Sequence, residues 1–359
     1  MRPKSGADVY DTEVLRDLIS CVLALLAWAG VWQPVAVPTT ASLRGLRVVS
    51  ADIVWVSGAG GTVIRTLDGG RSWAVLRVPG AEKLDFRGVW AWDADSAFVM
   101  SSGKAEDGAA RVYRTGNGGQ DWTLALEQNT PGVFFDTIAF WDRQHGIVLS
   151  DPVGGNFLIF LTEDGGNTWR QMATPALAGE GAFAASNSCL TVNGEKEVWF
   201  GTGGANVARV FHSSDRGRTW SVSETPLHPR NASSGIFSLA FRDRKNGFAV
   251  GGDYAHPAGT PLPNAISTSD GGKTWRAAEI ATVYLSSVAY QPRSKRLTAA
   301  GSQGIETGFP WRHAGDFNVN AVAYSVSGQG WAVGPHGEVY RESIAIPARR
   351  VRPSLKPAN

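Results

Sequence analysis

Two arginines and a group of carboxylates are the residues of this chain whose types and spacing could do chemistry. When its repeated segments are aligned, one residue falls at the start of the first strand of each. These are Arg44, Arg87, Asp136, Asn187, Phe237, Ser286 and Asn320. Six of the seven are polar, although the residues that follow them are apolar. Asp151 and Asp253 come just after second strands, and Glu180 falls in a connection between segments. Tyr254 and His256 sit in the longest insert, residues 252–264. Guanidinium forks match a carboxylate bidentately, and flanking acids, amides and hydroxyls supply further hydrogen-bonding partners. Such a set can grip a carboxylate, a sugar or a peptide end. It can equally be the polar lining of a water-filled opening. A further reading makes Asp136, Asp151 and Glu180 the acid and base of a hydrolase, which needs two carboxyls roughly 5–10 Å apart across a cleft.

The elements that must position these residues come from a repeat. One motif occurs five times, at residues 66–73, 115–122, 162–169, 213–220 and 268–275. Its acid or amide is Asp68, Asn117, Asp164, Asp215 and Asp270, and its tryptophan is Trp73, Trp122, Trp169, Trp220 and Trp275. The tryptophans are 49, 47, 51 and 55 residues apart, and a fixed period of this size marks a repeat architecture. Within residues 43–78, four short alternating runs are separated by Gly- and Asp-rich breaks, which is hairpin chemistry. Four antiparallel strands per repeat, A to D, make one propeller blade. The motif is the turn from C to D. Asp or Asn bonds to the turn backbone, Gly accepts positive φ, and the tryptophan opening strand D fills the gap between blades. This is a structural role.

A sixth and a seventh repeat follow with the motif decayed, around 288–311 and 319–341, and the seventh lacks a fourth strand. Residues 31–38 match the strand D pattern, so the N-terminal strand is expected to complete the last blade and close the ring. An open ring would leave sheet edges exposed. The expected fold is an all-β, seven-bladed propeller over 30–345. Strand A lines the channel of such a ring, so the aligned residues should encircle its mouth. The C–D turns lie on the opposite face, which makes their carboxylates poor catalytic candidates.

Composition narrows the functions. The 359 residues include 34 basic and 32 acidic ones, which argues against a nucleic-acid or other general polyanion binder. Six histidines have no paired ligand spacing, so no metal is expected, and no motif calls for a cofactor. The glycine-rich run 58–61 precedes a strand, where a nucleotide-binding loop would need a helix. Cys189 reads as a small buried hydrophobe. Residues 18–29 are apolar but too few to span a bilayer comfortably. They suit the core of a signal peptide occupying 1–29, or an N-terminal helix packed on the propeller. Residues 346–359 are basic and Pro-rich and are expected to be a disordered tail. The chain is expected to be exported to the periplasm or beyond, without a stable membrane span, and monomeric.

The pattern Ser/Thr-x-Asp-x-Gly-x-Thr-Trp resembles the Asp-box, or BNR repeat, of sialidase-type propellers. The longer run 60–70 is similar to the photosystem II stability/assembly factor family and its bacterial relatives. This resemblance extends over about residues 31–342. It implies a seven-bladed propeller that serves as a non-catalytic assembly factor. Sialidases share the box but need three arginines, a nucleophilic Tyr and a general acid. This chain has no Arg-Ile-Pro segment near its N-terminus, and its tyrosines are scarce. The sequence therefore reads as an exported, non-catalytic scaffold that binds a protein or glycan at the channel mouth. The alternative is a carbohydrate-active hydrolase.

Overall fold

The structure is a computed structural model that describes residues 31–259, 263–278, 283–308 and 310–343. These form seven four-stranded antiparallel sheets. The first blade consists of Leu43–Val48, Val54–Gly58, Thr62–Thr66 and Ala74–Leu76, strands A to D. Later blades open with strand A at Phe86–Ala91, Phe135–Phe140, Leu190–Asn193, Ser234–Phe241, Ser287–Tyr290 and Ala321–Tyr324. The seven-bladed propeller read from the repeats is the observed fold.

Ring closure is as expected. Val31–Pro34 is the fourth strand of blade 7 and pairs with Val339–Ser343, with Val31 opposite Ser343 and Pro34 opposite Tyr340. Proline is tolerated there because the strand is an edge and needs no second ladder. Trp32 is buried beside Ile305 and Ala332, so the strand is anchored by packing as well as by its ladder. The expected signal peptide and basic tail lie outside the described residues.

Blades stack face to face, so inner strands are buried on both faces. That is why strand B is mostly apolar, Val54–Gly58 or Ala97–Ser101 for example, with every residue buried, the serines included. Cys189 is likewise fully buried in the core between blades 3 and 4.

The repeated turn works by local hydrogen bonding. Thr66 Oγ1 donates to Asp68 Oδ1 at 2.8 Å, and Gly70 N–H donates to Thr66 Oγ1 at 2.9 Å. The Ser72 hydroxyl donates to Asp68 Oδ2 at 2.6 Å. Asp164, Asp215 and Asp270 repeat this arrangement. Gly69 and Gly70 have φ of 69° and 89°, which is open to glycine at little cost.

The turn tryptophans are less buried than a gap-filling role suggests. Trp275 is buried; Trp73, Trp122, Trp169 and Trp220 are half-buried at the rim. Trp73 still bridges blades, meeting Trp331 of blade 7 edge-on at 5.9 Å. Among the described residues the fully buried tryptophans are Trp55, Trp199 and Trp331, all on strand B. Trp169→Ala is therefore expected to cost roughly 1–3 kcal/mol, below the ~3–5 of a fully buried tryptophan. Asp164→Ala should cost less and carry a pH signature. The Thr168 hydroxyl and N–H hold the Asp164 pKa at about 2. Its stabilisation is then full above the unfolded value near ~4 and is lost as pH falls through the folded one. Calorimetry of wild type and Asp164→Ala at pH 7 and at acid pH checks this; a melting gap that persists in acid would refute it.

Candidate functional site

Arg44, Arg87, Asp136 and Phe237 occupy one structural position in blades 1, 2, 3 and 5. Each is the extra residue where the pairing of strand A with strand B slips by one. Leu43 faces Gly58 and Gly45 faces Ser57, with Arg44 between them. The same slip brackets Arg87, Asp136 and Phe237. A bulge of this kind re-aims a side chain and bends the strand. Ser286 and Asn320 directly precede the first paired residues of strand A in blades 6 and 7. Their side chains tie blades together: Ser286 Oγ donates to Asn320 O at 2.7 Å, and Asn320 Nδ2 donates to Leu43 O at 2.9 Å.

Asn187 departs from the alignment. Strand A of blade 4 begins at Leu190, and Asn187 lies in the preceding connection with φ of 59°. That connection, residues 176–189, crosses the channel. Ala182 N–H donates to Asp151 Oδ1 of blade 3 at 2.9 Å. Asn187 accepts from Ile138 N–H at 2.9 Å and reaches Val89 O of blade 2 at 3.4 Å. Ser186 Oγ donates to Ser286 O of blade 6 at 2.7 Å, and Ser188 Oγ bonds Ser238 Oγ of blade 5 at 2.7 Å. Arg44 Nη1 of blade 1 donates to Ala185 O at 3.2 Å, and Arg87 Nη1 donates to Ala184 O at 3.4 Å. One segment thus bonds to five blades besides its own and plugs the channel. Asn187 is a clamp within that plug.

The carboxylates divide by environment. Asp136 is fully buried, and neither of its oxygens has a hydrogen-bond partner. Burial, then the neighbouring Asp151 charge, push its pKa well above the usual range, against the pull of Arg87. Burial raises Asp151 to about 6, opposed by its bond from Ala182 N–H. Glu180 is buried under a two-pronged ion pair from Arg209, with Nε at 2.8 Å. It also accepts from Thr202 Oγ1 at 2.6 Å and Leu177 N–H at 2.8 Å. Expected among the ligand-facing groups, Glu180 is spent on holding the base of the plug. Asp253 similarly binds Asn231 Nδ2 at 2.8 Å and Ser233 Oγ at 2.6 Å, closing a loop.

The mouth is basic and aromatic, with Tyr254 exposed, Arg44, Arg87 and Phe183 half-buried, and Phe237 and Tyr284 buried beneath them. Arg44 makes no ion pair among the described residues; burial, then the like charge of Arg87, lower its pKa. Arg87 pairs with Asp85 at 2.7 Å and stays partly exposed. Phe183 of the plug stacks on Phe237 at 3.9 Å, and Tyr284 meets Phe237 edge-on at 4.8 Å. Tyr254 is 55% exposed and stands edge-on to Phe237 at 6.1 Å. The sequence reading reached Tyr254 but missed Phe183 and Tyr284. The signal for Phe183 was a lone aromatic in an Ala- and Gly-rich connection. Among the described residues no group of three or more His, Cys, Asp or Glu could hold a metal ion. No helix of the described residues is long and apolar enough to cross a membrane.

No family model matches the chain. Over 282 residues it is 26% identical to the photosystem II assembly protein Ycf48 of Synechococcus sp. (strain JA-2-3B'a(2-13)), covering 69% of this chain and 79% of that protein. A solved structure of Ycf48 bound to D1 peptide matches with a TM-score of 0.58 at 16% identity, over 87% of this chain and 96% of that one. An ancestral GH74 enzyme matches with a TM-score of 0.64 at 15% identity, over 87% of this chain but 46% of that one. Streptogramin B lyase matches with a TM-score of 0.63 at 11% identity, over 88% and 99%. Structural likeness at these identities speaks for the fold alone. The sequence similarity bears out the resemblance to the photosystem II assembly factors read from the repeats.

Proposed function

We propose that this propeller is a non-catalytic binding module that seats a segment of a partner protein at the channel mouth and serves an assembly step. The carrying observation is the placement of Arg44 and Arg87 in identical bulges of neighbouring blades. Both guanidiniums lie within electrostatic reach of Tyr284, which packs edge-on against Phe237 with Phe183 and the exposed Tyr254 around it. Paired forks near the exposed ring of Tyr254 and the half-buried Phe183 suit an acidic or carboxylate-ended peptide with an apolar neighbour. Similarity to an assembly protein, and a solved Ycf48 that holds a peptide, support the same reading.

The hydrolase alternative has less support. Asp136 is fully buried, and Glu180 is neutralised by Arg209. Neither stands ready to exchange a proton with a substrate in a cleft. The five repeated turns fit Asp-boxes with a purely structural role. The apolar run 18–29 suits a signal peptide ahead of the propeller, which would place the protein in the periplasm or outside the cell.

The test is capture of partners from an envelope extract, followed by binding of the captured protein's peptides. Arg44→Lys and Arg87→Lys are expected to weaken binding roughly tenfold each, because Lys lacks the fork, with the melting temperature almost unchanged. Normal binding by both variants, or hydrogen-exchange protection confined to the face of the repeated turns, would exclude the channel mouth.

A further inference from the structure

A second candidate site lies on the opposite face, between blades 2 and 3. There a groove of about 430 Å³ is lined by Trp92, Arg114, Gly116, Asn117, Asp121 and Arg143, among others. The volume is in the range of small-molecule sites, roughly 300–1,000 Å³.

The turn that borders the groove departs from the other four. In those, an aspartate stands third and a Ser or Thr stands seventh, and both aspartate oxygens are spent inside the turn. In blade 2 the third residue is Asn117 and the seventh is Asp121. The turn survives the exchange. Thr115 Oγ1 donates to Asn117 Oδ1 at 3.0 Å, and Asp121 N–H donates to the same oxygen at 3.0 Å. Asn117 Nδ2 then donates to Asp121 Oδ2 at 2.8 Å. The carboxylate has moved four residues outward, onto the groove wall, and Asp121 Oδ1 makes no hydrogen bond among the described residues. The second residue of the turn is Gly116, where the others carry Leu67, Glu163, Ser214 and Ser269. A Cβ there would meet nothing within 4 Å, so the groove is open on this side.

Across the groove, Arg114 spends one nitrogen on Gly165 O at 3.4 Å, a long bond. Arg143 is paired with Asp93 at 2.6 Å and lies 5.5 Å over the Trp92 ring. Positive and negative charges in the groove therefore balance. An anion would gain Arg114 but face Asp121, and a cation would meet the reverse. A hydroxyl both donates and accepts, so vicinal hydroxyls can satisfy Asp121 and Arg114 together. The half-buried indole of Trp92, backed by the buried Phe98 ring, supplies an apolar wall for the C–H face of a sugar ring.

We propose that this groove is a binding site for a neutral sugar, taken by Asp121, Arg114 and Asn117, with Trp92 as its apolar wall. It is separate from the channel mouth and does not depend on the function assigned there. The test is titration of isotope-labelled protein with cellotriose, chitotriose and mannotriose, followed by amide and indole chemical shifts. At least one trisaccharide is expected to produce saturable shifts at Gly116, Asp121 and Trp92. Asp121→Asn and Arg114→Met should each weaken that binding roughly tenfold, the scale of a lost charged hydrogen bond. Unchanged melting temperatures would establish that both variants remain folded, and Arg44→Lys should leave the titration unaltered. The proposal is overturned if none of the three sugars shifts these residues up to about 20 mM, weaker than millimolar binding. It is equally overturned if the shifts fall at the channel mouth, if both groove variants bind normally, or if an unglycosylated peptide occupies the groove in place of sugar.

Discussion

A chain lacking residues 31–38 is expected to lose most of its cooperative melting transition, and a synthetic peptide of those residues should restore it in a concentration-dependent way. The strand supplies the outer ladder of blade 7 through four paired positions. It also buries Trp32, whose loss alone is worth about 3–5 kcal/mol. Native domains are stable by roughly 5–15 kcal/mol, so the tryptophan and ladder together are comparable with the whole margin. Removal would also uncover Val339–Ser343 as a new sheet edge, open to pairing with other chains. Rescue by peptide follows from mass action on the folded state. A truncated chain that melts like its parent, with no response to peptide, would refute closure by this strand.

Asp136→Asn should stabilise the protein at pH 8 and change little at pH 4. The sign follows from two carboxyls whose folded pKa values are raised. An acid of this kind destabilises the fold as pH climbs past the unfolded value, and the cost stops growing at the folded value. For Asp151, moved to about 6 from 3.8, that amounts to about 3 kcal/mol. Asp136 has neither oxygen bonded and stands well above its ordinary range, so its penalty is expected to be the larger. Wild-type stability should accordingly fall between pH 4 and 7, and Asp136→Asn should remove much of that slope. Denaturant unfolding at pH 4, 6 and 8 measures it. A variant less stable than wild type at pH 8 would mean that an ionised Asp136 has a partner in solution.

The parts of this fold that were legible in the sequence are those fixed by local chemistry. Thr66, Asp68 and Gly70 complete their hydrogen bonds within five residues, so each copy of the turn announces itself. Closure by residues 31–38 was legible because a strand D pattern stood alone at one end and was missing from the other. The bulge residues Arg44, Arg87 and Asp136 stood out as polar positions ahead of apolar runs. The plug did not. Its Ala, Gly and Ser content reads as an ordinary connection, and its partners are distant in the chain; Arg44 is 141 residues from Ala185. Asn187 was placed in the ring for the same reason, since an alignment of strands cannot register a segment that leaves its blade. The burial of Glu180 by Arg209 also needed three dimensions, as the two come from different elements 29 residues apart.

The seam in blade 7 has a consequence for the order of events during synthesis. Val31 and Ser343, paired in the finished ring, are 312 residues apart in the chain. At translation rates of about 5–20 residues per second, the first strand waits roughly 15–60 s for its partner to be made. Blades 1 to 6 can each form from neighbouring sequence during that interval, but the seventh cannot. Contacts of such long range make the final step slow, because chain entropy must be surrendered before the pairing repays it. For that period Trp32 and the strand around it are an unburied apolar segment on a partly built ring. Wherever the ring is assembled, its first strand stays unpaired until the last blade is present, so the edge left by Val339–Ser343 and the strand that covers it are the last pieces to meet.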